Sequence, residues 1–557
     1  MVEHSQGRRV VAVGLDAGEI ALIRRWIDDG HLPNMAAIFR DGLKCQTETG
    51  LASAAELPWT VFLSSCSPQK TGFWSPYRYS PDYKITHVGA YDYNEFGRFY
   101  DYCRGKKVIA LDVPQARLSE AVDGIQIANW GSHSAQVPAG SLPEDMLDKV
   151  NGRYGSHPAL HPVENDTVPV GEMNQDGKRL EQELIVGIER RTAMFIDLLK
   201  EQEWDLAMTV YGEPHSAGHC FWHLSQPDHP LYGVCHDPSD DPLLNVFKAQ
   251  DAALGRIRAA LPDDAALFFF SPHGMRANGK DGLSFLFLPE LMFRYSFDGK
   301  AGMAAGEVGK ELPPFAPQEY INWMRAAWTL RHDDNAARRF IRDHSRLRIS
   351  QYFEKMFPPK DGGPEHPLNI DVMRFEPTTW YQPVWKDMKA FALHSFSDGY
   401  VRVNVAGREA AGKVAPADYD RVCDEITALL YDMKDARSGR GTVEQVIRTR
   451  KSAMEGDSRE FHSDADLIVL WDASVVTDAV DTTNYGRIGP APFFRSGVHT
   501  ADGFFTLVGD GIEPGDLPNA KLVDMPATIL DLLGVPMPNH FEGHSLANEA
   551  LRHKPAA

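Results

Sequence analysis

The stretch Tyr211–His223, YGEPHSAGHCFWH, carries His215, His219 and His223 at four-residue spacing. On a helix these rings share one face, with neighbouring Cβ atoms about 6 Å apart, which is the spacing of metal ligands. Three imidazoles, or two with a third group from elsewhere, would hold a divalent ion. A polar helix whose histidines only hydrogen-bond would show the same spacing. The reading therefore turns on partners supplied by other parts of the chain.

The elements that would position such a site come next. The apolar run from Trp204 to Val210 predicts a buried strand that delivers the histidines at the carboxyl end of a parallel sheet, where open α/β folds build their sites. Arg9 to Leu15 is a β-branched strand ending in Asp16, a place that suits a metal ligand and equally a helix N-cap. A helical stretch from about Glu19 to Asp41 follows, divided in two by the break at residues 30–34. ALFFFSPHGM, Ala266 to Met275, predicts another buried strand and ends near His273. VIALDVP and IQIANW predict two more strands, and Arg179 to Gln202 an amphipathic helix. This alternation predicts an α/β fold, a doubly wound and mostly parallel central sheet with helices on both faces. Late in the chain, SGVHTADGF puts His499 in a loop before a strand, and MPATILDLLGVPMP closes with a helix and a Gly/Pro stop.

LPWTVFLSSCSPQKTG, Leu57 to Gly72, offers hydroxyls. Pro58 suits a first helical turn, and Thr60 then lies where free backbone N–H groups and the helix dipole favour an anion. Thr60 is a candidate nucleophile, with Ser64, Ser65 and Ser67 as competitors on the same segment. Residues 276–395 lack the strand–helix alternation and are rich in aromatics, prolines and charges, among them Pro313 to Pro317, Trp323, Trp328, Phe353, Phe357 to Pro359, Trp380 and Trp385. They read as an inserted cap or accessory region, with 1–275 and 396–557 forming the core.

Composition limits the function classes. A chain of 557 residues, 43% hydrophobic and 24% charged, has apolar content for a large core. A formal net charge of −20 argues against a nucleic-acid polymer as partner, because polyanion binding needs lysine and arginine against phosphates. A small anionic substrate remains compatible where a metal supplies local positive charge. The first apolar run, Val10 to Leu15, is short for a secretory segment, and no span of 18 apolar residues occurs, which predicts a soluble cytoplasmic protein without a membrane partner. The six cysteines show no CxxC pair and read as buried thiols. GxGxxG, GxxxxGK[ST] and GxSxG are all missing, so dinucleotide, P-loop and serine-hydrolase readings lack their mechanical parts.

GLDAGEIALIRRWIDDGHLPNM, LPWTVFLSSCSPQKTG, WDLAMTVYGEPHSAGHCFW, FFFSPHGM, YVRVNVAGREAAGKV, SGVHTADGF and DMPATILDLLGVPMP occur in the order expected of one family. Together they make the chain resemble the type I phosphodiesterase/nucleotide pyrophosphatase branch of the alkaline phosphatase superfamily. The resemblance implies a two-metal site, usually zinc, and a phosphoryl-transfer mechanism with a threonine intermediate. It assigns Asp16, His273 and the nucleophile Thr60 to the second metal, and His219 and His499 to the first.

Two positions depart from the family. His215 stands where the family has an aspartate, which keeps a ligand and gives a three-histidine set with an open fourth position. Pro272 stands where the family has a carboxylate, leaving Asp16, His273 and Thr60 for the second metal unless Glu19, Glu56 or Glu213 substitutes. The expectation is a hydrolase of a phosphodiester, nucleotide pyrophosphate or phosphomonoester holding one or two divalent ions, zinc or alternatively manganese. Its alternatives are altered chemistry (sulfuryl or phosphoryl transfer, phosphonate cleavage) and a binding protein that kept the fold. Lys70, Arg276, Arg487 and Arg495 are candidate contacts to a small phosphate-containing substrate, with a solvated surface or structural charge as the first reading of each.

Overall fold

The structure, a computed structural model, describes residues 7–48, 57–87, 96–131, 137–159, 172–303, 377–395, 398–456, 464–491 and 495–547, with isolated positions 308, 337, 340, 356 and 493. Residues 304–307, 309–336 and 357–376, including most of the aromatic and proline-rich stretch read as an insertion, lie outside them, as does Glu56. The chain divides into two compact units: Met1–Trp74, Gly89–Ala277 and Arg495–Ala557 form the first, and Ser75–Val88 with Asn278–Phe494 the second.

The first unit starts with strand β1 (Arg9–Leu15), helices α1 (Ile20–Asp28) and α2 (Pro33–Asp41), strand β2 (Leu43–Glu48) and helix α3 (Leu57–Ser64). Strands β3 (Val108–Leu111), β4 (Gly124–Ala128) and β5 (Gly140–Leu142) lead to the long helix α4 (Gln175–Glu201). Then come strand β6 (Leu206–Tyr211), helices α5 (Glu213–Ser225) and α6 (Pro242–Ala260), strand β7 (Ala265–Ser271) and the short β8 (Met275–Ala277). Strands β9 (Gly497–His499) and β10 (Asp502–Val508) and helix α7 (Asp524–Leu532) complete it.

A ten-stranded sheet runs Gly515–Asp516, β2, β10, β7, β1, β6, β3, β4, β5, with Ala520–Lys521 pairing on β2. Its centre is parallel: β1 lies between β6 and β7, with Val10 opposite Leu206 and Ala266. Strand β10 runs antiparallel to both β7 and β2, and β5 antiparallel to β4. β6 and β7 are buried along their whole length, as expected of strands covered on both sides. Val10 and Ala12 share a core with Trp59 and Phe62 of α3 and Ile529 of α7. On the other side of the sheet, Phe269 of β7 meets Phe39 of α2 with ring centroids 6.3 Å apart. The doubly wound α/β fold read from the sequence is the fold observed, and among the described residues no helix is long and apolar enough to cross a membrane.

The second unit has its own antiparallel sheet, ordered Ala390–Leu393, Gly399–Val403, Leu467–Trp471, Val443–Arg448. Its core gathers Trp385, Tyr400, Val401, Tyr419, Ile426 and Trp471. This changes the division expected from the sequence. YVRVNVAGRE, ADYDRVCDEITALLYDM and ADLIVLW were expected to rejoin the core from residue 396, yet they build the second unit. A buried strand looks the same in sequence whichever sheet it joins, because periodicity reports burial and not the partner strand.

Candidate metal centre

The candidate residues arrive at the carboxyl ends of β1, β6 and β7, all in the first unit. Asp16 follows β1; its N–H donates to the Tyr211 carbonyl at 2.9 Å. The chain then turns through Ala17 at φ 59° into α1. The N-cap of α1 is Glu19, whose Oε1 accepts from Ala21 N at 3.0 Å, so Asp16 is released from capping. Its Oδ1 accepts from the Trp59 indole at 2.8 Å and faces His273 Nε2 at 2.9 Å. Thr60, next to Trp59, is buried in the first turn of α3. Two of the competing hydroxyls are engaged: Ser64 Oγ donates to the Thr60 carbonyl and Ser65 Oγ to the Val523 carbonyl, both at 2.7 Å.

His215 and His219 occupy the first two turns of α5, which begins at Glu213 with Pro214 in its first turn. His499 is brought to them by pairing of β9 with β8, in which Met275 lies opposite His499. It is therefore the last residue of a short strand and not part of a loop as expected. The three histidines are buried, and their candidate ligand nitrogens all lie within 4.8 Å of one another. Nε2 of His215 and Nε2 of His219 are 3.2 Å apart. Tetrahedral coordination with zinc–nitrogen bonds of about 2.0–2.1 Å separates ligand atoms by about 3.3 Å, the separation at which the His215 and His219 nitrogens already stand. His219 Nδ1 lies 2.7 Å from the Gly497 carbonyl, which makes Nδ1 the protonated nitrogen and leaves Nε2 for a metal. Arg495 Nη1 lies 3.4 Å from that same Nε2. His223 points elsewhere and packs on His229, with centroids 5.8 Å apart.

The second ligand set is less complete. Among the described residues, no third histidine, cysteine or carboxylate joins Asp16 and His273 in a cluster, and Pro272 offers no side-chain donor. Of the carboxylates that could have substituted, Glu19 also accepts from Met275 N at 3.1 Å, and its pKa is raised by burial against the opposing pull of the Ala21 and Met275 amides. Glu213 Oε1 is held by Arg191 Nε at 3.3 Å and by His157 Nε2 at 3.0 Å. Burial pushes the Glu213 carboxyl up, but Arg191 and His157 outweigh it and hold it below its ordinary value. The present residues fit one ion at the three histidines and not a complete second site.

No family model and no curated protein sequence matches the chain. Solved structures do. Phosphonoacetate hydrolase from Sinorhizobium meliloti 1021, in complex with phosphonoformate, aligns over 96% of this chain and 97% of its own at 12% identity, with a TM-score of 0.48. Human ectonucleotide pyrophosphatase/phosphodiesterase 5 aligns over 97% and 98% at 11% identity, with a TM-score of 0.47. Wild-type alkaline phosphatase PafA aligns over 98% of this chain and 99% of its own at 11% identity, with a TM-score of 0.51. The chain has the alkaline phosphatase fold.

Within this alkaline phosphatase fold, the four basic candidates separate. Arg495 stands at the histidine cluster. Arg276 lies on β8, opposite Val498. Lys70 Nζ is held by the His540 carbonyl and lies 5.9 Å from the centre of the Phe96 ring. Arg487 belongs to the second unit and pairs with Asp481 at 2.7 Å. Sequence reasoning missed Trp59 as the indole on Asp16, and it missed the buried group Asp112, His157 and Arg191 around Glu213. Asp112 had left a signal: ALDVP ends a strand in an aspartate just as VGLDAG does.

Proposed function

We propose that the protein is a metal-dependent hydrolase of a phosphate ester, with Thr60 as nucleophile and one divalent ion held by His215, His219 and His499. The observation that carries this is the convergence of three buried imidazoles from α5 and β9 on one point. A neutral three-nitrogen set with an open position suits zinc first, and manganese as a second choice. When bound, the ion supplies Lewis acidity toward a phosphoryl oxygen. Arg495, beside the cluster, is suited to bind and orient the anionic group of the substrate. Thr60 forms the new P–O bond as the ester P–O bond breaks and the departing oxygen takes a proton; water then attacks phosphorus and restores the Thr60 hydroxyl. Phosphodiester, nucleotide pyrophosphate and phosphomonoester substrates all satisfy this sequence of steps.

Pro272 favours a second reading, in which the incomplete second set goes with altered chemistry, such as phosphonate cleavage or sulfuryl transfer, or with ligand binding alone. Turnover of bis-aryl and mono-aryl phosphates by the zinc-loaded protein separates the two. Under the hydrolase reading one of them is turned over, and Thr60→Ala lowers kcat by about a thousandfold or more while zinc stays bound. A loaded wild type that turns over neither, or a Thr60→Ala variant with undiminished rate, sinks that reading.

A further inference from the structure

A buried polar group outside the ligand set meets the start of helix α5. Arg191 of α4, 0% exposed, donates from Nη1 to Asp112 Oδ2 at 2.6 Å and from Nε and Nη2 to Glu213 Oε1 at 3.3 and 3.4 Å. Asp112, at the end of β3, also accepts from Trp130 N at 2.9 Å and Gly131 N at 2.8 Å, which ties it to the residues after β4. The guanidinium carbon lies 5.3 Å from the Trp130 ring and 5.5 Å from the Tyr211 ring. His157 completes the group from the other side. Its ring occupies a slot that only glycine leaves open: a Cβ on Gly187 would fall 2.1 Å from Nε2, and one on Gly131 2.3 Å from Cδ2.

Arg191 and His157 both meet on Glu213, the first residue of α5. The preceding Gly212 provides no side-chain cap, so the start of this helix is fixed through Glu213 and not by an ordinary N-cap. Two helical residues turn the chain by about 200°, so Glu213 grips the face of α5 opposite to His215. A group held there sets the rotation of the helix about its axis, and rotation decides where the rings of His215 and His219 point.

We propose that Glu213, with Arg191 and His157 as its clamps, is a positioning residue for the metal ligands of α5. The proposal rests on the reading of His215, His219 and His499 as a metal site. A buried charge network is weak evidence for stability, and its best-attested use is to fix a register, which is the role assigned here.

The test uses the full-length protein stripped of metal and reloaded. Two variants attack the clamp differently. Glu213→Gln keeps shape and removes the charge. Gly187→Ala leaves every charge in place, adds a better helix former, and drives the His157 ring off Glu213. Ile529→Val, in the core around α7, is the control for a simple loss of stability. Zinc Kd is read by competition with a chromophoric chelator, ligand geometry by the visible absorption of the cobalt(II)-loaded protein, and folding by the Tm of the apo form. The expected result is a zinc Kd weakened about ten- to a hundredfold in both clamp variants, with an altered cobalt spectrum, and wild-type values for Ile529→Val. If Glu213→Gln does not fold, Gly187→Ala gives the same reading alone. Clamp variants with a lowered Tm but wild-type Kd and spectrum overturn the positioning role. A wild type that binds neither ion overturns the metal reading and this proposal together, and that outcome appears before any variant is made.

Discussion

His215 offers an imidazole where the resemblance to the type I phosphodiesterases implies a carboxylate, and Pro272 stands where it implies a second one. Both changes lower the negative charge of the centre, which favours an anionic ligand and weakens the hold on a second cation. One ion per chain is the expected stoichiometry by elemental analysis. His215→Ala, His219→Ala and His499→Ala should each lower it well below one, while Pro272→Asp should raise it towards two in excess zinc. Full metal content in all three alanine variants would remove the ligand assignment. A second prediction at this scale concerns His229, which is 2% exposed and whose pKa burial pushes down to about 3, with nearby His223 adding to the shift. The fold favours its neutral form, so its contribution is present above the unfolded value near 6.5 and is lost as pH falls from there towards 3. The contribution of His229 to the unfolding free energy should fall by about 1.4 kcal/mol per pH unit below about 6.5, and His229→Asn should remove that part of the slope in urea titrations at pH 7.0 and 5.5. His215 and His219 were legible because helical spacing is local. The indole of Trp59 on Asp16 was not, because a contact across 43 residues leaves no periodic trace.

At the scale of elements, the candidate nucleophile depends on how α3 is seated against the sheet. Phe62 of α3 stacks on Phe270 of β7 with centroids 4.7 Å apart and planes at 19°, and Trp59 meets the same ring edge-on at 6.3 Å. One ring of β7 therefore fixes both the helix that carries Thr60 and the indole that reaches Asp16. Phe270→Ala should cost about 3–5 kcal/mol in urea unfolding, the range for an emptied aromatic core position. A cost below 1 kcal/mol would mean that α3 is held mainly by other contacts. The long strands and helices could be read from sequence because apolar period and caps recur over many residues, as in α4, where Asn174 accepts from Gly177 N at 2.8 Å. The pairing of β8 with β9 could not. Three-residue strands carry no measurable period, and only the folded chain shows that Met275 and His499 face each other.

At the scale of the molecule, the two units have separate hydrophobic clusters, and every candidate ligand belongs to the first unit. The boundary lay hidden because the hairpin Tyr77–Ser80 with Lys84–His87 sends Tyr77, Tyr79 and Ile85 into the second core from a position early in the chain. An ion that binds only the folded first unit stabilises that unit by mass action, by about 2.7 kcal/mol at a hundredfold excess over Kd. Amide hydrogen exchange reports such stabilisation segment by segment, because each amide exchanges through the opening of its own cooperative unit. Zinc should therefore slow exchange in Leu206–Tyr211, Glu213–Ser225, Met275–Ala277 and Gly497–His499, up to about a hundredfold where opening releases the ion. Gly399–Val403 and Leu467–Trp471, in the second sheet, should exchange at the same rate with and without zinc. Equal slowing in both sheets would show that the two cores open as one cooperative body. Slowing confined to the second sheet would place the ion away from the three histidines altogether.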